Sequence, residues 1–333
     1  MEIEKWSLRV GAAALVFAVM VRLGSTGVFG RGLELLQTPE AVATMLFLET
    51  GRIVRTVTPK PPALPLPEEP EDPDEPVAEL PEEPALPVFA AEDAQLVKIK
   101  NVCGLATDVP AMLTTPLTWQ LQAEEPTVLI LHSHGSECYE NTEDFKESGY
   151  YRTLEAEYNM VSVGDRVAEI LEAGGVSVLH DTTLHDYPSY NDSYGNSRSS
   201  MKEYLEKYPS IRLVLDLHRD AAKDSSGNQV AFTTTIDGEQ VAKLMLVVGT
   251  NVRLKHPNWP ENMSLAVKLH ALLEKQHPGI CRPISFRNQR FNQDLSAGAL
   301  LVEVGAAGND RQEALAAAEI LAEAILDLSA GTG

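Results

Sequence analysis

An open, mixed α/β sheet with helices on both faces is the fold class predicted for the carboxyl-terminal two thirds of this chain. Three observations predict it. Short apolar runs rich in valine, leucine and isoleucine read as buried strands, the segments between them repeat their apolar residues at helical spacing, and the two kinds alternate along the chain. The first strand runs from Thr127 to Leu131, a helix from Met160 to Leu171, and the next strand from Val176 to Leu179. Arg198 to Lys207 reads as a helix, Ile211 to Leu217 as a strong strand, and Met263 to Gln276 as an amphipathic helix. Leu300 to Val304 is a strand, and Arg311 to Leu328 an alanine- and leucine-rich helix. One antiparallel insertion is expected. Asp237-Gly238 separates Gln229 to Ile236 from Gln240 to Val248, and Asp-Gly is the chemistry of a two-residue hairpin turn.

The amino-terminal third is organised differently. Val10 to Val21 is apolar, with Lys5 and Arg9 before it and Arg22 after it. A membrane span needs about 20 residues, so the run has to continue towards Phe29 with Arg22 snorkelling. Residues 1–32 are therefore read as a membrane anchor. A cleaved signal peptide is the competing reading, disfavoured because no small-x-small site follows the run. Either reading keeps the basic residues inside and exports the remainder. Residues 33–57 carry Leu36, Val42, Met45 and Leu46 at helical spacing, as in an amphipathic juxtamembrane helix. Residues 58–92 are dominated by proline and glutamate, a composition that buries too little apolar surface to offset chain entropy. They read as a disordered linker, extending roughly 3 Å per residue where it is polyproline-like. Residues 93–333 remain as the catalytic domain.

The 333 residues carry a net charge of -21, which argues against nucleic acid as a partner, because phosphates demand a basic surface. Much of that charge lies between Glu68 and Asp93, in the tether. Cys103, Cys138 and Cys281 are odd in number and widely spaced, so no disulfide framework or zinc ribbon is expected. Cys138 reads as a buried or half-buried thiol rather than a metal ligand.

In open α/β sheets, ligands bind near the carboxyl ends of the strands. Three polar sequences lie there: His132-Ser133-His134-Gly135-Ser136-Glu137, Asp216-Leu217-His218-Arg219-Asp220, and Glu303 before Val304-Gly305. Imidazoles and a carboxylate are the donors of a catalytic zinc site, where three protein groups hold the ion and water takes the fourth position. His134, Glu137 and His218 supply that set. Glu303, read as an exposed strand-end glutamate, is left to take a proton from the bound water and pass it to a leaving nitrogen. His132 competes with His134, since alternation puts both on one side of an extended segment. His134 is preferred because Gly135 behind it lets the backbone turn. His180, His185, His270 and His277 read as structural. Ser133 and Ser136 lie among histidines, but no Gly-x-Ser-x-Gly elbow frames a serine nucleophile. Gly305 to Asn309 lacks the lysine and spacing of a phosphate loop, so metal is the only cofactor implied.

These residues lie in ordered blocks that resemble the stage II sporulation protein P family, zinc-dependent peptidoglycan amidases of endospore-forming bacteria. The blocks begin at Leu131 (Leu-His-Ser-His-Gly-Ser-Glu), Tyr158 (Tyr-Asn-Met-Val-Ser-Val-Gly-Asp), Leu215 (Leu-Asp-Leu-His-Arg-Asp), Val248 (Val-Gly-Thr-Asn) and Asn292, and the resemblance covers roughly Thr127 to Leu328. Gly135 and Cys138 depart from the family's usual first block. The resemblance implies an amidase-like fold and cleavage of the amide between N-acetylmuramic acid and the first L-alanine of the stem peptide. Endopeptidase action on peptide crosslinks is implied as well. His134, Glu137 and His218 carry over as zinc ligands and Glu303 as the catalytic glutamate. The implied setting is a single-pass protein of the mother-cell membrane, its catalytic domain outside the cytoplasm and facing the septal wall. There it would act with sporulation proteins D and M during engulfment. A metallopeptidase acting only on crosslinks and a non-catalytic wall-binding scaffold are the alternative readings.

Overall fold

The structure, a computed structural model, describes residues 89–117, 120–140, 145–146 and 150–330. The expected anchor (1–32), juxtamembrane helix (33–57) and most of the linker lie outside the described residues. No helix among those described is long and apolar enough to cross a membrane. Packing starts before the boundary read at Asp93: Phe89 is buried with the main core, and a 3-10 turn follows at Ala91–Leu96.

Among the described residues a seven-stranded sheet forms the centre. Its strands are β1 (Ile99–Asn101), β2 (Val128–Leu131), β3 (Val178–His180), β4 (Leu213–Asp220), β7 (Leu244–Val248), β8 (Ile284–Phe286) and β9 (Ala299–Ala306), in the spatial order β1-β8-β7-β9-β4-β2-β3. The strands β9, β4, β2 and β3 are mutually parallel, as are β7, β8 and β1. The two blocks meet antiparallel at β7 and β9. The sheet is thus mixed, with a single seam.

The expected hairpin is corrected in its second arm. β5 (Thr233–Ile236) pairs with β6 (Glu239–Ala242) as a separate two-stranded sheet, and the chain then leaves it at Lys243 to enter the main sheet as β7. The turn itself is as the residues demand: Asp237 and Gly238 have φ of 50° and 89°, the left-handed pair of a type I′ hairpin. The uninterrupted run Leu-Met-Leu-Val-Val suits a strand buried on both faces, whereas β6 shows two exposed and two buried residues.

Strand alternation divides the side chains between two layers. Val128, Ile130, Leu213, Leu215, Leu217, Leu300, Val302 and Val304 enter the large core with helices α2 (Met160–Ala173), α4 (Trp259–Gln276) and α5 (Arg311–Ala330); the short α1 (Val109–Thr114) joins it at the edge. The opposite face is only partly covered. There α3 (Ser193–Lys207) packs Met201 on Leu129, Leu131, Val214 and Ala299. Met245, Val247 and Leu301 form a smaller cluster of their own, with Phe291 beside it. Helices do lie on both faces, three against one, and the part of the second face that α3 leaves open is where the polar residues gather.

Candidate metal centre

Alternation along β4 and β9 sends Asp216, His218 and Glu303 to this partly covered face, because their neighbours Leu215, Leu217, Val302 and Val304 point into the large core. His218 and Glu303 are partners in the parallel β4–β9 register. Glu303 was expected exposed at a strand end. It lies instead within β9, which continues to Ala306, and its Oε2 is buried with no hydrogen-bond partner among the described residues. The residues therefore meet on a face of the sheet rather than beyond it.

The loop after β2 brings the other two residues. It is pinned by two buried aspartates: Ser133 donates to Asp216 from its N at 2.7 Å and its Oγ at 2.6 Å, and Ser136 donates to Asp186 from its Oγ at 2.6 Å. Both serines are thus structural braces of the loop. The turn closes with Glu137 N donating to the His134 carbonyl at 3.2 Å. Gly135 lies within the turn at residues 133–136, as its place after His134 suggested, though outside the left-handed region. A Cβ there would meet Leu184 Cδ2 at 2.9 Å, the end of a flexible side chain, and the next atoms only at 3.5 Å.

His134 Nδ1 lies 3.7 Å from Glu137 Oε1, and Glu137 Oε2 lies 3.6 Å from His218 Nδ1. One donor atom from each of the three residues falls within 4.8 Å of the others, a spacing suited to a single ion. The donor set fits zinc: two imidazoles and one carboxylate, with Glu303 in the wall of the same cleft. The fit is supported by the orphaned Glu303 Oε2, a buried polar atom that a cation or its water would satisfy. The cleft measures 330 Å³ and is floored by Met245, Val247 and Leu301. Tyr190 stacks on the His134 ring at 4.4 Å, and Tyr194 meets it edge-on at 5.4 Å.

His132 is turned elsewhere. Its Nδ1 faces the Leu217 carbonyl at 3.1 Å, and its Nε2 lies 2.9 Å from His180 Nε2, whose ring in turn faces Asp165 at 3.0 Å. Burial, reinforced by the neighbouring His180, lowers the His132 pKa to about 3. His185 is paired with Asp181 at 3.1 Å, both buried. His270 is buried within α4, and His277 caps its carboxyl end.

Two groups next to the cluster were not singled out from sequence. Asp216 accepts from His218 Nε2 at 2.9 Å as well as from Ser133, leaving His218 Nδ1 turned to Glu137. Its position two residues before His218 was the available signal, since alternation puts the pair on one face. Arg219 is also buried; it donates to the Cys138 carbonyl at 3.0 Å and the Tyr151 carbonyl at 2.8 Å, and its Nη1 lies 3.5 Å from Glu137 Oε1. Burial opposes charge on Glu137, but Arg219 and then His218 overcome it and hold its pKa well below the usual carboxylate range. Burial likewise opposes a proton on His218, and Asp216 and Glu137 outweigh it, so its pKa is raised. Glu303, with few compensating partners, is pushed by burial up to about 8.

The family profile described as stage II sporulation protein P matches residues 68–326. The stage II sporulation protein P of Bacillus subtilis (strain 168) is 29% identical over 229 residues, 62% of this chain and 53% of that protein, so the chain aligns with about half the length of this relative. Among solved structures, the chain is similar to the N-acetylmuramoyl-L-alanine amidase AmiC2 of Nostoc punctiforme at 17% identity, over 61% of this chain and 94% of that one, with a TM-score of 0.37. It is similar to the N-acetylmuramoyl-L-alanine amidase of Clostridium difficile 630 at 15% identity, over 62% and 95%, with a TM-score of 0.36.

Proposed function

The chain belongs to the stage II sporulation protein P family, and from that premise we propose that it is a zinc-dependent hydrolase of peptidoglycan. Its bond is the amide between N-acetylmuramic acid and the L-alanine that begins the stem peptide. One observation carries the reading: donor atoms of His134, Glu137 and His218 lie within 4.8 Å of one another, in a cleft whose wall holds the unpartnered Oε2 of Glu303.

In this reading His134, Glu137 and His218 hold the ion. Zinc, when bound, lowers the pKa of its water and polarises the scissile carbonyl. Asp216 fixes the His218 ring through Nε2 and so presents Nδ1 to the ligand cluster. Arg219 holds Glu137 ionised and orients the loop that carries it. Glu303 accepts a proton at its carboxylate and returns it to the leaving nitrogen. Tyr190 and Tyr194 wall the cleft, and its apolar floor excludes water around the reacting amide.

On the same reading the amino-terminal segment anchors the chain in the mother-cell membrane, with the domain outside the cytoplasm facing the septal wall. Sporulation proteins D and M are its proposed companions there. The test is a digest of purified sacculi by the zinc-loaded full chain, resolved by mass spectrometry. Stem peptides freed from glycan are the expected product. Metal content is measured in parallel for His134→Ala, Glu137→Ala and His218→Ala, each expected to lose the ion. Hydrolysis that persists after chelation, or three variants that keep full metal, overturns the assignment.

A further inference from the structure

A second groove adjoins the cleft and shares three of its residues, Tyr194, Gln289 and Phe291. Its volume is 490 Å³, within the range of small-ligand sites. Arginine dominates its polar lining: Arg198, Arg253 and Arg290. Two loops build most of it, residues 249–258 after β7 and residues 287–292 after β8. In a chain of net charge -21 these loops contain Arg253, Lys255, Arg287 and Arg290 and no acidic residue. Such local reversal of charge is a feature of a surface that receives anions.

The groove is braced. Thr250 N donates to the Gln289 carbonyl at 3.0 Å, Thr250 Oγ1 to the Arg287 carbonyl at 2.9 Å, and Gly249 N to Gln293 Oε1 at 2.7 Å. A Cβ on Gly249 would lie 2.3 Å from the Gln289 carbonyl oxygen, so the two loops touch backbone to backbone. At the junction with the cleft, Phe291 and Asn292 both take positive φ, 49° and 59°. Neither is glycine, and such left-handed backbone persists where surrounding contacts over-determine it. Those contacts are present: Asn292 Nδ2 donates to the Tyr194 carbonyl at 2.9 Å and to Ser197 Oγ at 3.2 Å.

The arginines have different duties. Arg198 grips Asp294 with two bonds, Nη1 to Oδ1 at 2.8 Å and Nη2 to Oδ2 at 2.7 Å, which satisfies that carboxylate. Arg290 approaches the same Asp294 only at 3.3 Å and so retains donors, while Arg253 makes no ion pair or side-chain hydrogen bond among the described residues. We propose that this groove is the subsite for the peptide part of the substrate, with Arg253 and Arg290 receiving its free carboxylates. The inference rests on the peptidoglycan reading, which requires a peptide on one side of the scissile amide. It adds the side on which that peptide lies and the chemistry that selects it: an acidic peptide rather than a neutral one. Guanidinium suits the task, because its fork matches a carboxylate bidentately.

The test compares two synthetic N-acetylmuramoyl tripeptides, one with free carboxylates and one with the same groups as carboxamides, using the zinc-loaded full chain and its Arg253→Gln/Arg290→Gln variant. The expected result is a preference of the native chain for the acid, on the order of tenfold or more in kcat/KM, carried by KM, and collapse of that preference in the variant. Equal use of acid and carboxamide by the native chain overturns the subsite and leaves the amidase reading standing. Binding of the free acidic tripeptide, without sugar, is measured by calorimetry on the same proteins. If neither substrate is cleaved but the acidic tripeptide binds the native chain and not the variant, the hydrolase reading fails and the groove stands. No arginine-dependent difference in either assay overturns the proposal.

Discussion

His218 and Glu303 face the cleft side by side as register partners on the parallel strands β4 and β9. Their proximity is written into the sheet ladder rather than into a loop. A hydrogen-bonded ladder holds such a pair to a fraction of an ångström, the precision needed to separate the proposed ligand from the proposed proton-transfer group. Glu303→Gln keeps the shape and removes the base. The expected outcome is a fall in turnover of roughly 10²- to 10⁴-fold with zinc content unchanged. Metal analysis alongside the sacculus digest checks it, and loss of zinc would instead make Glu303 a ligand.

Asp216 is expected to tune the metal through His218. Asp216→Asn leaves a neutral acceptor beside His218 Nε2, weakening the ring's basicity and its orientation. Zinc affinity should drop by about 10- to 100-fold, measured by competition with a chromophoric chelator. An affinity equal to that of the native chain would separate Asp216 from the metal and leave it as a brace for Ser133.

The raised pKa of Glu303 predicts how the metal-free chain responds to pH. Its folded value is about 8 against 4.5 for an unperturbed glutamate, so the folded state binds that proton more tightly than the unfolded state. The associated stability is fully present below pH 4.5 and is lost as pH rises through 8. The slope is about 1.4 kcal/mol per pH unit at most, and the whole effect is on the order of a few kcal/mol. Denaturant titrations of chelated protein across this window should show the decline, and Glu303→Gln should remove most of it. Zinc should suppress the slope as well, because a nearby cation favours the carboxylate.

Gly164 on α2 is expected to tolerate no side chain. A Cβ there would lie 2.5 Å from His180 Nε2 and 2.7 Å from His132 Nε2. Gly164→Ala should cost about 1–3 kcal/mol in chemical denaturation, the range for overpacking a filled interior. Pairing it with His180→Ala should recover part of the loss, and simple additivity of the two would show that the steric conflict is not the cause.

Periodicity made most of the site-bearing framework legible. β2, α2, β4, β9 and α5 each carry a long enough pattern of apolar residues to declare their type, and the polar residues of β4 and β9 fall where alternation puts them. β1 and β8 were not recognised, because Ile-Lys-Asn and Ile-Ser-Phe lack the run of valine and leucine that marked Val176 to Leu179. The second hairpin arm ran past Lys243 because an exposed strand and a buried one follow each other with a single residue between them, and local sequence cannot say which sheet a strand joins. In the candidate centre, the gathering of His134, Glu137, His218 and Glu303 in one cleft was anticipated from strand ends and family blocks. Asp216 and Arg219 were passed over, since an aspartate between two leucines and an arginine after a histidine acquire meaning only when the partners across space are known. His132 and His134 were inseparable by alternation alone. The turn after β2 separates them, sending one ring beneath the sheet towards His180 and the other to the cleft.

The floor of the cleft straddles the seam between the two oppositely directed blocks of strands, with Met245 and Val247 on one side and Leu301 and Glu303 on the other. All four side chains come from one block, through the loop after β2, β4 and β9, while the other block supplies Met245 and Val247 to the cleft floor. The cleft is therefore complete only once the two blocks have joined at β7 and β9. A ribosome-bound fragment ending before β9 would hold all three proposed donor side chains yet lack Glu303, so the proposed chemistry waits for the last of the described strands to be made.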